Sequence, residues 1–194
     1  RHFFRLYAAF KGFNGVVSWI GGDELFGGYP SFNRIKAAKL LQHLPAAVIK
    51  AGKRSNAKQL NRLAYLNMDG IKGIYLFLRG HFSPYEIAKQ LGSYENEIWK
   101  VLNEQPVLCD VENLDEKNQA SWMEFNLYMQ NQLIRDADVM SMIHGVEIRV
   151  PFLDDNIIRT AFKTGPSIKF EGQFVKQILI DTFNDILPEE IWKR

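Results

Sequence analysis

Two adjacent acids, Asp23 and Glu24, stand between glycine pairs in the run Ser18-Trp19-Ile20-Gly21-Gly22-Asp23-Glu24-Leu25-Phe26-Gly27-Gly28-Tyr29. Neighbouring carboxylates repel each other, and neither sits comfortably beside an anionic phosphate. A divalent cation resolves both problems. Hard oxygen ligands suit magnesium, which is commonly held by one or two carboxylates together with substrate phosphates. The pattern points to a magnesium-phosphate site with Asp23 as the metal ligand. The same residues also fit a plainer reading, in which Gly21-Gly22 is an ordinary turn and Asp23 or Glu24 caps the short segment that ends at Gly27-Gly28.

The elements around these acids must place them at the lip of a cleft. Residues 15–20 are apolar, β-branched and uncharged, which predicts a strand buried on both faces, as in a parallel sheet. Gly21 and Gly22 then free the backbone to turn and to approach a ligand closely. In an open α/β sheet, ligands bind in the crevice outside the carboxyl ends of the strands. A lone strand is not stable, so its parallel neighbours are expected from residues outside this chain.

Apart from that strand the chain reads as helical almost throughout. A helix is predicted over residues 2–12, and Pro30-Ser31 starts another whose stripe is Phe32, Ile35, Leu40, Leu41 and Leu44. Short helices fill residues 70–107, one of them headed by the capping sequence Ser83-Pro84-Tyr85-Glu86. Trp122, Phe125, Met129 and Leu133 recur at helical spacing and lead to Arg135-Asp136-Ala137-Asp138. Gly145 stops that helix behind His144. Val146, Ile148 and Val150 alternate with Glu147 and Arg149, so an extended segment puts this acid and base on one face. Pro151 keeps the preceding residue extended, Asp154 or Asp155 caps a helix over residues 157–162, and a last long helix is expected over residues 173–183.

Composition sets outer bounds. The 194 residues are 46% apolar, enough to bury a core, and the formal net charge is +2. No strongly charged partner is implied. The stretch from Phe26 to Asn67 has no acid and many bases, but stacking aromatics are scarce there, so it reads as a solvated helical surface and not a nucleic-acid face. The single Cys109 excludes an internal disulfide framework and fits a reducing cytoplasm. No apolar run reaches membrane-spanning length, so no membrane partner is expected. The chain begins at Arg1 without an initiating Met and is expected to be a fragment or a processed piece.

The run from Gly21 to Tyr29 resembles the second signature of the synthetase domain of glutamine-hydrolysing asparagine synthetases, Ser-Gly-acid-Gly-Gly/Ser-Asp-Glu-Leu/Val-Phe-Gly-Gly-Tyr. A second block, Asp138-Val139-Met140-Ser141-Met142-Ile143-His144-Gly145-Val146-Glu147-Ile148-Arg149-Val150-Pro151-Phe152-Leu153-Asp154, is similar to the family's Asp-Arg-x-Ser-Met-Ala-His-x-Leu-Glu-x-Arg-Val-Pro-Phe-Leu-Asp. Leu187-Pro188-Glu189-Glu190-Ile191-Trp192-Lys193-Arg194 looks like the segment that leads into the family's catalytic lysine, and this chain stops just short of it. The resemblance implies a mainly α chain with a minor β component, a fragment of an α/β adenine nucleotide alpha hydrolase-like (PP-loop) synthetase domain. Residues 1–194 would be a single incomplete domain lacking the PP-loop half and the glutaminase domain.

The implied reaction belongs to asparagine biosynthesis, with ATP and Mg2+ as cofactors. The side-chain carboxylate of aspartate or a related acid is adenylated, pyrophosphate leaves, and ammonia from glutamine attacks to form an amide. By the same resemblance Asp23, Glu24 and Asp138 are the candidate catalytic residues, with Asp23 on the metal and Glu24 behind it or bracing the turn. Ser18, Trp19, Gly21 and Gly22 fall where the family contacts ATP, largely through backbone atoms. Ser141, Glu147 and Arg149 are the candidate substrate-binding residues. For the last two a structural ion pair is the equal alternative. A cytoplasmic location is implied, and a homodimer is left open.

Three departures bear on chemistry. Trp19 stands where the family has Gly, Ile20 where it has a catalytic acid, and Val139 where it has Arg. An aliphatic side chain cannot act as acid, base or hydrogen-bond acceptor, so the amide-forming class is better supported than asparagine as the product. The chain holds no Ser-Gly-Gly-x-Asp-Ser pyrophosphate loop and no amino-terminal Cys nucleophile. It is expected neither to hydrolyse glutamine nor to complete adenylation alone. A degenerate, non-catalytic member kept as an interaction or regulatory module is the alternative of a different class.

Overall fold

A computed structural model describes residues 11–12, 14–45, 47–49, 58–104 and 111–193. In chain order the main elements are β1 (Gly15–Val17), α1 (Gly22–Phe26), α2 (Ser31–Leu41), α3 (Gly70–Arg79), α4 (Pro84–Leu91), α5 (Glu95–Glu104) and α6 (Glu116–Met123). A wide-turn π-helical stretch, Glu124–Ile134, continues into α7 (Arg135–Met142), followed by β2 (Glu147–Arg149), α8 (Asp155–Lys163), α9 (Pro166–Phe170), α10 (Gln177–Thr182) and α11 (Glu189–Trp192). The chain is thus mostly helical with a small sheet. It forms two compact units, one of residues 1–29 and 121–194, the other of residues 30–120. The helix expected over residues 2–12 lies, but for its last two positions, outside the described residues.

The unit of residues 30–120 is built on α2, α3 and the 3-10 turn Arg62–Asn67. Phe32, Ile35 and Ala38 are the buried face of α2. Leu40, expected in that stripe, is 70% exposed, because five residues beyond Ile35 is about 140° around an α-helix. Side chains from neighbouring turns tie the loops down. Gln42 Nε2 donates to the carbonyls of Met68 and Gly70, and Tyr65 OH donates to Phe82 O at 2.8 Å. The capping box at Ser83 forms as its residues predict: Ser83 Oγ accepts from Glu86 N at 3.3 Å and Glu86 Oε2 accepts from Ser83 N at 2.7 Å.

The other unit contains the sheet. β1 and β2 pair in parallel, with Gly15, Val16 and Val17 opposite Glu147, Ile148 and Arg149. This corrects two expectations. The neighbour of β1 comes from within the chain, and β1 is not buried on both faces among the described residues, since Val17 is 65% exposed. A β-branched run records a preference for extended backbone, whereas burial depends on what packs against it. Beside the sheet, Ile20 packs with Met129, Leu133 and Ala137. A second cluster joins Leu25 and Phe26 of α1 to Ala161 of α8.

The loop between β1 and α1 is fixed by close contacts, and at Gly21 only glycine permits them. Gly21 has φ 98°, and a Cβ on it would lie 2.7 Å from Leu153 Cδ2 and 3.1 Å from Phe152 Cβ. Gly22 packs beside the Phe152 ring. The two sequence blocks therefore meet here, and Phe152 also stands edge-on to Phe26 with centroids 5.8 Å apart. Glu24, 1% exposed, closes the loop: its carboxylate accepts from Gly21 N at 3.1 Å and from Tyr29 OH at 2.6 Å. Ser121 Oγ donates to Glu24 O at 2.7 Å, fastening α1 to α6.

Behind the Leu25, Phe26 and Ala161 cluster, Lys169 is fully buried, donates to Ala161 O at 2.8 Å and lies over the rings of Phe162 and Phe170. The last long helix begins later than expected, at Gln177. Lys176 adopts a left-handed conformation with φ 62°, which no right-handed helix can pass through.

These contacts generate two expected outcomes. Gly21→Ala combines a strained φ with overlap against Leu153, and should lower stability by roughly 2–3 kcal/mol in chemical denaturation. The Tyr29 phenol is pushed far above its ordinary value of 10.0, first by burial, then by its hydrogen bond to Glu24 and the nearby charges of Glu24 and Asp23. A raised folded value means that the stabilisation is complete below about pH 10, the unfolded value, and is lost as pH rises beyond it. Tyr29→Phe should be about 1–2 kcal/mol less stable at pH 8, where Glu24 loses a partner. It should then lose less further stability than wild type between pH 9 and 11 in thermal melts.

Candidate active site

The carboxyl end of β1 opens into a cleft of about 440 Å³ lined by Val16, Val17, Ser18, Trp19, Ile20, Asp23, Glu24, Tyr29, Leu133 and Ile148. The lining is apolar at Ile20, Leu133 and Ile148, and polar at Ser18 and Asp23. Ser18 leaves the strand with its N–H donated to Arg149 O at 2.8 Å, and Trp19 O accepts from Gly22 N at 3.1 Å. These two bonds turn the backbone at the strand end. Trp19 is 75% exposed and its indole rests against Phe152 with centroids 5.9 Å apart.

Asp23 and Glu24 share a helical turn but point apart, because successive residues in a helix project about 100° from each other. Glu24 turns inward to the loop bonds described above. Its two oxygens serve Gly21 and Tyr29, so the structure places it as the brace of the turn. Asp23 turns to the cleft and is half-exposed. Its carboxylate rests against Gly28, where a Cβ would overlap Oδ1 and come within 2.8 Å of Cγ. Gly28 is thus a space for the acid. Lys176 Nζ lies 2.5 Å from Asp23 Oδ1.

A divalent cation fits this donor set in one way. Asp23 is the one lining carboxylate not already spent on the turn, and no group of three or more His, Cys, Asp or Glu among the described residues could hold a metal. That suits a magnesium ion that takes phosphate and water oxygens for most of its shell, and not a closed protein-only centre. A cation bound on Oδ1 would require that oxygen to part from Lys176.

The remaining sequence candidates lie elsewhere. Asp138 is exposed on α7 and does not line this cleft. Ser141 is buried, and its hydroxyl donates to Asp138 O at 2.9 Å, within its own helix. Glu147 and Arg149 pair with each other, Arg149 Nε to Glu147 Oε1 at 3.2 Å, with both side chains largely exposed. The strand alternation that puts them together sends Ile148 to the opposite face, and Ile148 is the residue of β2 that lines the cleft. The same period-two pattern could have singled it out from sequence. Lys176, by contrast, carries no local signal, since it is a solitary base between Val175 and Gln177.

Ile20 is 8% exposed and faces both the cleft and the Met129, Leu133 and Ala137 cluster. An ionised carboxylate in its place would be desolvated against those apolar side chains. The surroundings are therefore matched to the aliphatic residue.

The asparagine synthase family model matches residues 2–194. The chain is 24% identical over 194 residues to the glutamine-hydrolyzing asparagine synthetase 1 of Bacillus subtilis (strain 168), covering 92% of this chain and 29% of that protein. It is 24% identical over 192 residues to a putative glutamine-hydrolyzing asparagine synthetase of Mycobacterium bovis, covering 92% and 28%. To the asparagine synthetase 3 of Bacillus subtilis it is 26% identical over 183 residues, covering 92% and 25%. No solved structure matches. The chain spans less than a third of the length of these relatives. Since the family model takes in nearly every residue, the chain belongs to the asparagine synthase family.

Proposed function

We propose that this chain is the carboxyl-side part of the ATP-dependent synthetase domain of an amide-forming ligase, with the PP-loop half of the fold supplied outside it. The acid substrate is aspartate or a related carboxylate, activated by adenylation and then attacked by ammonia from glutamine. Family membership supports the ligase class, and the relatives are named as glutamine-hydrolyzing asparagine synthetases. The observation that carries the reading to this site is Asp23, presented to a cleft at the carboxyl end of a parallel strand by a turn that needs glycine at Gly21 for its backbone and at Gly28 for the space of the carboxylate.

In this reading Asp23 would hold the magnesium ion, which when bound supplies positive charge at the phosphates of ATP. Ser18 and Trp19 would form the backbone edge along which the nucleotide lies, whereas Gly21 and Gly22, buried against Phe152 and off the cleft lining, would shape the turn without touching ATP. Glu24 acts at one remove: it keeps Gly21 and Tyr29 in place and thereby keeps Asp23 aimed at the cleft. The Lys176 ammonium stands beside the acid, where it can offset the charge of a leaving anion. Asp138, Ser141, Glu147 and Arg149 would act from the flank of the site, through α7 and β2. Ile20 provides no acid, so the reacting carboxylate is oriented by shape and by the turn and not by a side-chain base at that position.

Pyrophosphate release by the full-length protein, measured with Mg2+-ATP and ammonia over a panel of carboxylates that includes aspartate, tests this. One carboxylate should stimulate release, and Asp23→Asn should lower kcat by about a hundred-fold or more, as expected for loss of a group that supports charge in the transition state. Unchanged release in Asp23→Asn would refute the site. No stimulation by any acid would favour the non-catalytic alternative.

A further inference from the structure

The geometry points to Lys176 as an exchangeable counterion, which holds Asp23 while no divalent cation is present and competes with the cation for that carboxylate. This rests on the metal reading of Asp23 given above.

The two cations cannot share the oxygen. Lys176 Nζ is 2.5 Å from Asp23 Oδ1, and a magnesium ion bonds such an oxygen at about 2.0–2.1 Å. On Oδ1 both would stand on one atom with like charges in contact, and a cation on Oδ2 would still face the ammonium across a single carboxylate, so the two compete for the acid. The pair is also built to be broken. Its side chains are 31% and 49% exposed, so water competes for both charges and the link has little net strength. A buried, fully bonded pair would instead exclude the metal.

The backbone at Lys176 indicates that its charge is used. It is the one non-glycine residue with positive φ among the described residues, at 62°. A side chain is disfavoured in that region, and glycine would sit there more easily. The conformation is nonetheless retained at the start of α10, where Lys176 O accepts from Leu179 N and Ile180 N, and it brings the side chain across to Asp23. On the other side of the carboxylate, the missing Cβ of Gly28 leaves the acid in contact with backbone. Asp23 therefore stands between a removable cation and a wall with no side chain, with the cleft as its open direction.

Mn2+ alone, titrated into the full-length protein and followed by electron paramagnetic resonance of the free ion, tests the exchange. Lys176→Met and Lys176→Gly should each bind Mn2+ on the order of five-fold more tightly than wild type, the gain from removing a competing exposed ion pair. Lys176→Arg should keep the wild-type affinity, and Asp23→Asn should lose the site. The glycine variant adopts the left-handed conformation without strain, so misfolding of the methionine variant does not decide the result. Equal, weaker or undetectable Mn2+ binding in the folded Lys176 variants overturns the exchange; if Asp23→Asn still abolishes wild-type binding, the metal reading survives. An affinity unchanged by Asp23→Asn overturns both.

Discussion

The buried carboxylate of Glu24 is the constraint on which the site depends. An acid at 1% exposure must have its oxygens satisfied, and it draws the Gly21 amide from one side and the Tyr29 hydroxyl from the other. Those two bonds span the whole glycine-bounded segment and set its curvature. The helical offset between consecutive residues then sends Asp23 outward to the cleft. One acid is sacrificed to structure so that its neighbour can be presented, and the electrostatic repulsion expected of adjacent carboxylates is relieved by separation as well as by partners.

The glycines in this segment do different work from one another. Gly21 supplies a left-handed backbone and also leaves room for Leu153, while Gly22 packs beside the Phe152 ring. Gly27 brings Phe170 close, and Gly28 leaves space for the Asp23 carboxylate. Space as well as flexibility is what a glycine provides here. The contacts of Gly21 and Gly22 with Phe152 and Leu153 also explain why two blocks so far apart in the chain belong to one structure: the second block is the packing surface of the first.

The chemistry available at the cleft is asymmetric. Its polar lining includes Ser18 and Asp23, with Lys176 against the acid; its apolar lining includes Ile20, Leu133 and Ile148. Ile20 belongs to a cluster that runs from the sheet into the wide-turn segment Glu124–Ile134 and on to Ala137. The change from acid to aliphatic at this position is thus built into the packing of the unit.

Much of the local structure was legible in the residues themselves. Capping at Ser83 and Asp154, the turn at Gly145, the extended Glu147 to Arg149 segment with its ion pair and the acidic turn at Asp23 all follow from short-range rules, because each depends on residues within about one turn of one another. Helical spacing likewise marked Met129 and Leu133 as core. What the sequence by itself determined was therefore the type of most of the described elements and the place of the two adjacent acids. The tertiary structure alone decided which of the two acids faces the cleft, that β1 finds its partner in β2, that Leu40 and Val17 stay exposed, and that Lys176 reaches Asp23. These outcomes depend on contacts between segments far apart in the chain, and no periodicity or propensity within a short window encodes which distant surface a side chain will meet.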